Sequence, residues 1–314
     1  MIARYAPGML RKVILAAADS QRVERLVEGA PISRNVVRRF VAGTTSDDAL
    51  RCTRALADQR LAVTLDFLGE DTVAPEQAEA TAGEYLRVLE ALHAAELTPA
   101  AEVSLKLSAL GQVFDDKQAY EHARAICAKA SEAGTTVTLD MEDHTTTDST
   151  LEILHRLRVD FPTVGVAIQA YLRRSEADCR ELAVEGLRVR LCKGAYKEPE
   201  SVAFQSRLDV DKSYVRCLNA LMAGPGYPMV ASHDPRLIAI AEDRARWFDR
   251  SADEFEFQML FGIRPEEQLR LVDLGYTMRV YLPYGTQWYG YLMRRMGERP
   301  ANVAFFLRAL RSRN

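Results

Sequence analysis

The chain has 314 residues, 48% of them hydrophobic and 27% charged, proportions of a globular protein with a sizeable core that exclude a disordered one. A net charge of −3 and a pI near 6.0 leave no global basic footprint, so nucleic acid is not expected as a partner and any anion site must be local. Cys52, Cys127, Cys179, Cys192 and Cys217 are odd in number and widely spaced, with no C-x-x-C pair and no histidine at a zinc-ligand interval. They read as reduced thiols of a cytoplasmic protein.

Met1 to Leu15 has no long apolar run or small-residue cleavage site, and no charge-free apolar stretch is long enough to cross a bilayer, so neither export nor a membrane span is expected. Residues 1–60 read as a helical segment placed before the main fold. Apolar residues recur at helical spacing through Leu10–Ala18 and Val36–Val41, and Ser46–Leu61 repeats the pattern with Ser46 or Asp47 as N-cap.

From residue 61 to 314 short β-branched or apolar runs alternate with long helical patterns. The runs are Leu61–Leu68, Glu102–Ala109, Thr135–Asp143, Val164–Tyr171, Leu187–Lys193, Pro228–Asp234, Phe255–Phe261 and Thr277–Tyr284. The helical patterns between them are Pro75–Ala95, Asp116–Ala133, Thr147–Phe161, Ser175–Glu185, Glu198–Met222, Pro235–Trp247 and Arg264–Leu274, and Trp288–Arg311 follows the last run. Eight such pairs after a helical preface predict an α/β protein of the TIM-like (β/α)8 barrel class. The rival, an open doubly wound sheet, lacks the G-x-G-x-x-G turn it usually carries.

Within the strands, polar and apolar residues alternate. Ser104, Lys106 and Ser108 oppose Val103, Leu105 and Leu107; Thr64 and Asp66 oppose Val63, Leu65 and Phe67; Arg188 and Arg190 oppose Val189 and Leu191. Thr138, Asp140 and Glu142, then Gln169, then Glu256 and Gln258, then Arg279 and Tyr281 continue the pattern. A barrel places one strand face against the helices and the other inside, where branched aliphatics ordinarily sit. Polar groups buried there without partners would cost on the order of 1–3 kcal/mol each, so a ligand or mutual pairing must satisfy them.

At the strand ends, where barrel chemistry sits, the inner face offers Asp66, Lys106, Asp140, Gln169, Arg190 with Lys193, Ser232 with His233, Gln258 and Tyr281. This set is rich in cations and amides and holds no metal-ligand group: His93, His122 and His155 fall in helical stretches, and His144 has no partner histidine at metal spacing. The run Arg190-Leu191-Cys192-Lys193-Gly194-Ala195-Tyr196 joins two cations to a glycine, as a phosphate or flavin site requires. The last helical pattern opens with Tyr291, Arg294, Arg295 and Glu298 on one face, where two adjacent guanidinium groups suit a carboxylate and Glu298 can hold both. Two chemistries fit these residues: a Schiff base on Lys106 or Lys193, without flavin, or hydride transfer to an isoalloxazine held by the cations. A non-catalytic barrel that binds an acidic metabolite is a third reading.

In order and approximate spacing, Leu105-Lys106-Leu107, Leu139-Asp140-Met141-Glu142, Gln169-Ala170-Tyr171, the Arg190-to-Tyr196 run, Ala231-Ser232-His233-Asp234, Phe257-Gln258-Met259-Leu260 and Tyr291-to-Glu298 resemble the FAD-dependent proline dehydrogenases. The resemblance covers about residues 60 to 305. It implies a modified barrel, with the last helix over its mouth, that oxidises L-proline to 1-pyrroline-5-carboxylate by hydride transfer to FAD.

Residue by residue, it implies that Arg294 and Arg295 bind the proline carboxylate and that Glu298 braces them. Lys106 is implied as a substrate-side lysine, Asp140 as an acid near the site, and Tyr281, Tyr291 and Leu260 as walls around the ring. Arg190 is implied beside the flavin, and Met141, Gln169, Lys193, Gly194, Ala195, Ser232 and His233 as FAD contacts. Departures are modest: Cys192 replaces a common aliphatic residue, Ser232 a threonine, and Gly297 a larger apolar residue, which weakens the helix by about 1 kcal/mol. Retention of Tyr291 favours proline over hydroxyproline. The resemblance further implies a quinone acceptor, peripheral membrane contact without an evident amphipathic anchor, and a separate 1-pyrroline-5-carboxylate dehydrogenase downstream, since residue 314 leaves no room for a fused aldehyde dehydrogenase domain.

Overall fold

The protein is described by a computed structural model over residues 37–69 and 72–292. Residues 37–40 are helical and lead to α1 (Ser46–Ala57). Its N-cap is Thr45 and neither Ser46 nor Asp47, because Thr45 has the extended backbone a cap needs (φ −121°, ψ 158°) and Asp48 stands three positions on to close a reciprocal capping box. The preface is tied to the main fold by backbone: Ala42 N–H donates to Pro283 O at 2.9 Å and Gly285 N–H to Gly43 O at 3.0 Å. Gly262, at φ +73°, sits so close to this segment that a Cβ would fall 1.8 Å from Arg39 O.

Eight strands and seven helices then alternate: β1 (Ala62–Phe67), α2 (Pro75–Ala94), β2 (Ala101–Leu105), α3 (Asp116–Glu132), β3 (Val137–Leu139), α4 (Thr147–Asp160), β4 (Gly165–Gln169) and α5 (Ser175–Leu182). They continue as β5 (Arg188–Cys192), α6 (Arg207–Ala223), β6 (Tyr227–Ala231), α7 (Pro235–Trp247), β7 (Glu256–Leu260), α8 (Pro265–Asp273) and β8 (Thr277–Tyr284). Every neighbouring pair is parallel, and β8 closes on β1 in the register Ala62↔Arg279 to Phe67↔Tyr284, which makes a closed barrel.

Among the predicted boundaries that move, two do so for evident local reasons. The third strand ends at Leu139 because Asp143, with extended backbone, caps a short 3-10 turn by accepting the Thr145 N–H at 2.8 Å. The sixth helix begins at Arg207, not Glu198, because Ser206 caps it through the Asp209 N–H and residues 199–205 bend back over the rim, where Ala203 bridges Leu172.

The strand alternation is realised as expected. Val63, Leu65, Val103, Leu105, Val166, Ile168, Val189, Leu191, Phe257, Val280 and Leu282 are buried in the layer between strands and helices. Each such side chain contributes about 1.5–3 kcal/mol by leaving water. The inner face is buried too, and its lower tier is satisfied by mutual pairing. Glu102 is 2.6 Å from Arg188 and 3.5 Å from Arg279, while Glu256 is 2.8 Å from Arg279 and 3.8 Å from Arg188. Thr64 and Thr138 donate to Glu102 Oε1 at 2.9 and 3.3 Å.

Burial alone would raise the Glu102 carboxyl, but the charges of Arg188, Arg279 and Arg190 prevail and pull it down to about 2 from its usual 4.5. A carboxyl depressed in the folded state contributes stability above its unfolded value and loses it as pH falls through the folded value. Melting temperature is therefore expected to fall between about pH 4.5 and 2, and Glu102→Gln to flatten that slope. A variant with the wild-type slope in this window would refute the assignment.

Candidate active site

Above the lower tier, the next inward positions of β1, β2, β5, β7 and β8, with Asp140 just beyond β3, converge on one network. Lys106 Nζ lies 2.6 Å from Asp66 Oδ1, 3.7 Å from Asp140 Oδ2 and 3.5 Å from the Tyr281 hydroxyl. Tyr281 donates to Asp140 Oδ2 at 2.7 Å, and Asp140 Oδ1 accepts from Ser104 Oγ at 2.8 Å and from Arg190 Nη1 at 2.5 Å. Arg190 Nε donates to Gln258 Oε1 at 2.6 Å, and its guanidinium carbon stands 5.3 Å from the centre of the Tyr281 ring.

Space for the Arg190 side chain comes from its register neighbours, the small Ala167 on β4 and the unbranched Met229 on β6. Burial opposes the Arg190 charge, but Asp140, Tyr281 and Glu102 outweigh it and raise the group above its ordinary value. Burial, with Asp140 and Asp66 alongside, holds the Tyr281 phenol well above its usual range, so it stays a donor. Two carboxylates, Asp66 and Asp140, thus face two cations, Lys106 and Arg190, and this tier is formally neutral.

Strand order divides the mouth into two sectors. The contiguous β8-β1-β2-β3 arc carries Tyr281, Asp66, Lys106 and Asp140. The β4-β5-β6-β7 arc carries Gln169, Lys193, Gly194, Ala195, Ser232, His233 and Leu260. Met141 joins this second arc, since Gln169 Nε2 donates to the Met141 and Glu142 carbonyls at 3.3 and 2.5 Å. Lys193 Nζ is held by Asp211 at 2.5 Å and Asp234 at 3.1 Å, and hydrogen bonds from Arg236 are the main reason the Asp234 carboxyl lies well below its usual range.

His233 Nε2 accepts the Leu260 N–H at 2.9 Å, which leaves Nδ1 as the protonated nitrogen, and Ser232 Oγ accepts the Asp234 N–H at 3.1 Å. Gly194 has φ +106°, and a Cβ on it would fall 2.3 Å from the Tyr171 ring. The glycine is therefore required by packing on Tyr171, a constraint within the protein. Ala195 is exposed beside it.

Tyr291 is buried at 5% exposure where residues 288–292 start a helix, whereas Arg294, Arg295 and Glu298 lie outside the described residues. Sequence reasoning assigned no role to Ser104 or Gln258, although their inward alternation was the available signal. It also missed a rim clamp in which buried Glu198 accepts from the His144 N–H at 2.9 Å, pairs with the His144 ring and accepts from Tyr171 at 3.3 Å. No spacing rule joins His144 to Glu198, because only the barrel brings the β3 and β5 loops together. A separate cavity of about 280 Å³, lined by Phe67, Thr72, Gln77, Glu84 and Arg87, lies on the outer side of β1, and its carboxylate is engaged by Arg87 and Tyr284.

As a cofactor-binding surface, the second sector offers amide, imidazole, hydroxyl and ammonium groups beside a buried guanidinium. Arg190 Nη2 makes no hydrogen bond and stands 4.0 Å from Glu102 Oε1, so the group has capacity for one more acceptor. That donor set fits an electron-rich ring system with carbonyl and imine acceptors.

A family model described as proline dehydrogenase matches residues 49–308. The chain is 38% identical over 302 residues to proline dehydrogenase 1 of Bacillus subtilis strain 168, covering 96% of this chain and 99% of that one. It is 39% identical over 307 residues to a proline dehydrogenase of Deinococcus radiodurans, covering 96% and 98%. Its fold matches a crystal structure of proline utilization A (PutA) from Bdellovibrio bacteriovorus inactivated by N-propargylglycine, with a TM-score of 0.80 and 26% identity over 92% of this chain and 36% of that one.

Proposed function

The chain belongs to the proline dehydrogenase family, and we propose that it oxidises L-proline to 1-pyrroline-5-carboxylate with FAD as the hydride acceptor and a quinone as the onward electron acceptor. The observation that carries this reading is the barrel mouth, in which Lys106, Asp140 and Tyr281 form one largely buried network with Arg190, which reaches it from the arc that also carries the amide, imidazole and hydroxyl groups. When bound, the flavin supplies a ring that takes up a hydride from the carbon next to the proline nitrogen.

The chain's own residues bind and orient. Arg294 and Arg295 clamp the substrate carboxylate and Glu298 braces them, while Tyr281, Tyr291 and Leu260 wall the pyrrolidine ring. Met141, Gln169, Lys193, Gly194, Ala195, Ser232 and His233 would hold the cofactor, and Arg190 would place a positive charge beside it. Asp140 already accepts from Ser104, Arg190 and Tyr281, so it serves as a fixed anion that orients Lys106 and Arg190 more readily than as the acceptor of the nitrogen proton. Nearby charge separation is fixed in a largely dehydrated tier before substrate arrives, the condition under which electrostatic preorganisation is strongest.

The Schiff-base reading loses support, because Lys106 and Lys193 are both engaged by carboxylates as ammonium ions, whereas imine formation needs the free amine. The visible spectrum of the purified protein is the direct test. Flavin bands that bleach on addition of proline are expected, with 1-pyrroline-5-carboxylate as product. A colourless protein that borohydride links to an oxo-acid would overturn the proposal in favour of a lyase. On this reading product passes to a separate downstream dehydrogenase and electrons to a membrane quinone through peripheral contact; among the described residues no helix is long and apolar enough to cross a membrane.

A further inference from the structure

Gln258, in the reacting tier, makes a hydrogen-bonded link to the charged layer beneath it. Gln258 Oε1 accepts from Arg190 Nε at 2.6 Å, and Gln258 Nε2 donates to Glu256 Oε1 at 2.5 Å. Glu256 is itself fixed by Arg279, whose Nε and Nη2 lie 2.8 and 3.1 Å from its two oxygens. The amide therefore has a single workable orientation: the flipped form would set its N–H against the Arg190 N–H and its oxygen against a carboxylate. Gln258, Glu256 and Arg190 are 3%, 1% and 4% exposed, so water cannot easily substitute for either bond.

We propose that Gln258 is a positioning residue that sets the plane of the Arg190 guanidinium by transmitting the fixed geometry of the Glu256–Arg279 pair upward into the active site. This rests on the functional reading above, in which Arg190 borders the flavin. The two sides of Arg190 are unequal. Nη1 is drawn to Ser104 and Asp140 at 2.8 and 2.5 Å, on the far side of the barrel from Gln258. Without the Gln258 acceptor, nothing opposes that pull at Nε among the described contacts, and the guanidinium swings toward Asp140. Its charge then stabilises a reduced, electron-rich ring less well.

Gln258→Met keeps the side-chain length while removing both hydrogen bonds. In the flavin-loaded enzyme its saturating rate of bleaching by proline is expected to fall about tenfold or more, the effect of misplacing one preorganised donor. The half-saturating proline concentration is expected to stay within about threefold, since the carboxylate clamp is untouched. The flavin midpoint potential is expected to move to more negative values.

Gln258→Glu supplies the second arm. It retains an acceptor for Arg190 Nε but sets a carboxylate against Glu256, so it is the more damaging change to the fold. Bleaching rates in the order wild type, Gln258→Glu, Gln258→Met, with melting temperature lowest for Gln258→Glu, support the proposal, because a purely structural role would make rate follow stability. Rates that follow melting temperature, or a Gln258→Met enzyme with the wild-type rate and potential, overturn it. A wild-type protein that binds no flavin overturns both this inference and the reading beneath it.

Discussion

Arg294→Met is expected to raise the KM for proline by about 10²-fold or more, the loss that follows removal of a charged hydrogen bond to a carboxylate. Among the described residues, the inward cations Lys106 and Arg190 near the mouth already face Asp66 and Asp140, and Lys193 is held by Asp211 and Asp234. A zwitterionic amino acid brought into that neutral tier needs cations for its carboxylate from elsewhere in the chain. Three and four positions after the buried Tyr291, the sequence supplies Arg294 and Arg295, within the stretch matched to the family. Arg294→Lys should recover only part of the affinity, because an ammonium lacks the planar fork that accepts two carboxylate oxygens at once. Steady-state kinetics with proline decide the matter: an Arg294→Met enzyme with unchanged KM removes this residue from the substrate site.

The fold was legible because its signal is periodic. The last strand was bounded to the residue, Thr277–Tyr284, and so was Pro235–Trp247, where Asp234 caps the helix and a proline opens it. The polar inner face could be read from alternation alone, since Thr64, Asp66, Ser104, Arg190 and Tyr281 all fall opposite aliphatic neighbours. What alternation cannot give is the partner. Glu102 meets Arg188, 86 positions away, only because a closed barrel makes β2 and β5 face one another across its interior, and Arg279 reaches Glu256 from the neighbouring strand β8. For the same reason the sequence showed that Gln258 points inward but not that it joins Arg190 to Glu256. Gly194 shows the opposite limit: the sequence reads it as a place where backbone approaches a ligand, whereas the contact that requires a glycine is the Tyr171 ring, which no local pattern contains.

Arg190→Met is the other substitution with a large expected effect: the rate of flavin reduction by proline should fall by about 10²–10³-fold, the cost of losing a preorganised cationic donor at a site where charge develops. The structure adds a second consequence. Removing the guanidinium leaves Asp140 with Ser104 and Tyr281 as hydrogen-bond donors and Lys106 3.7 Å away, in a place largely screened from water. Breaking a buried pair from one side destabilises by about 3–5 kcal/mol, so melting temperature should drop together with the rate. Adding Asp140→Asn to Arg190→Met separates the two losses. The double variant should recover stability, because no uncompensated carboxylate remains, while its rate of flavin reduction stays low because the cation is still missing. Recovery of both together would mean that Arg190 serves only to neutralise Asp140, and its place at the reacting edge would be lost.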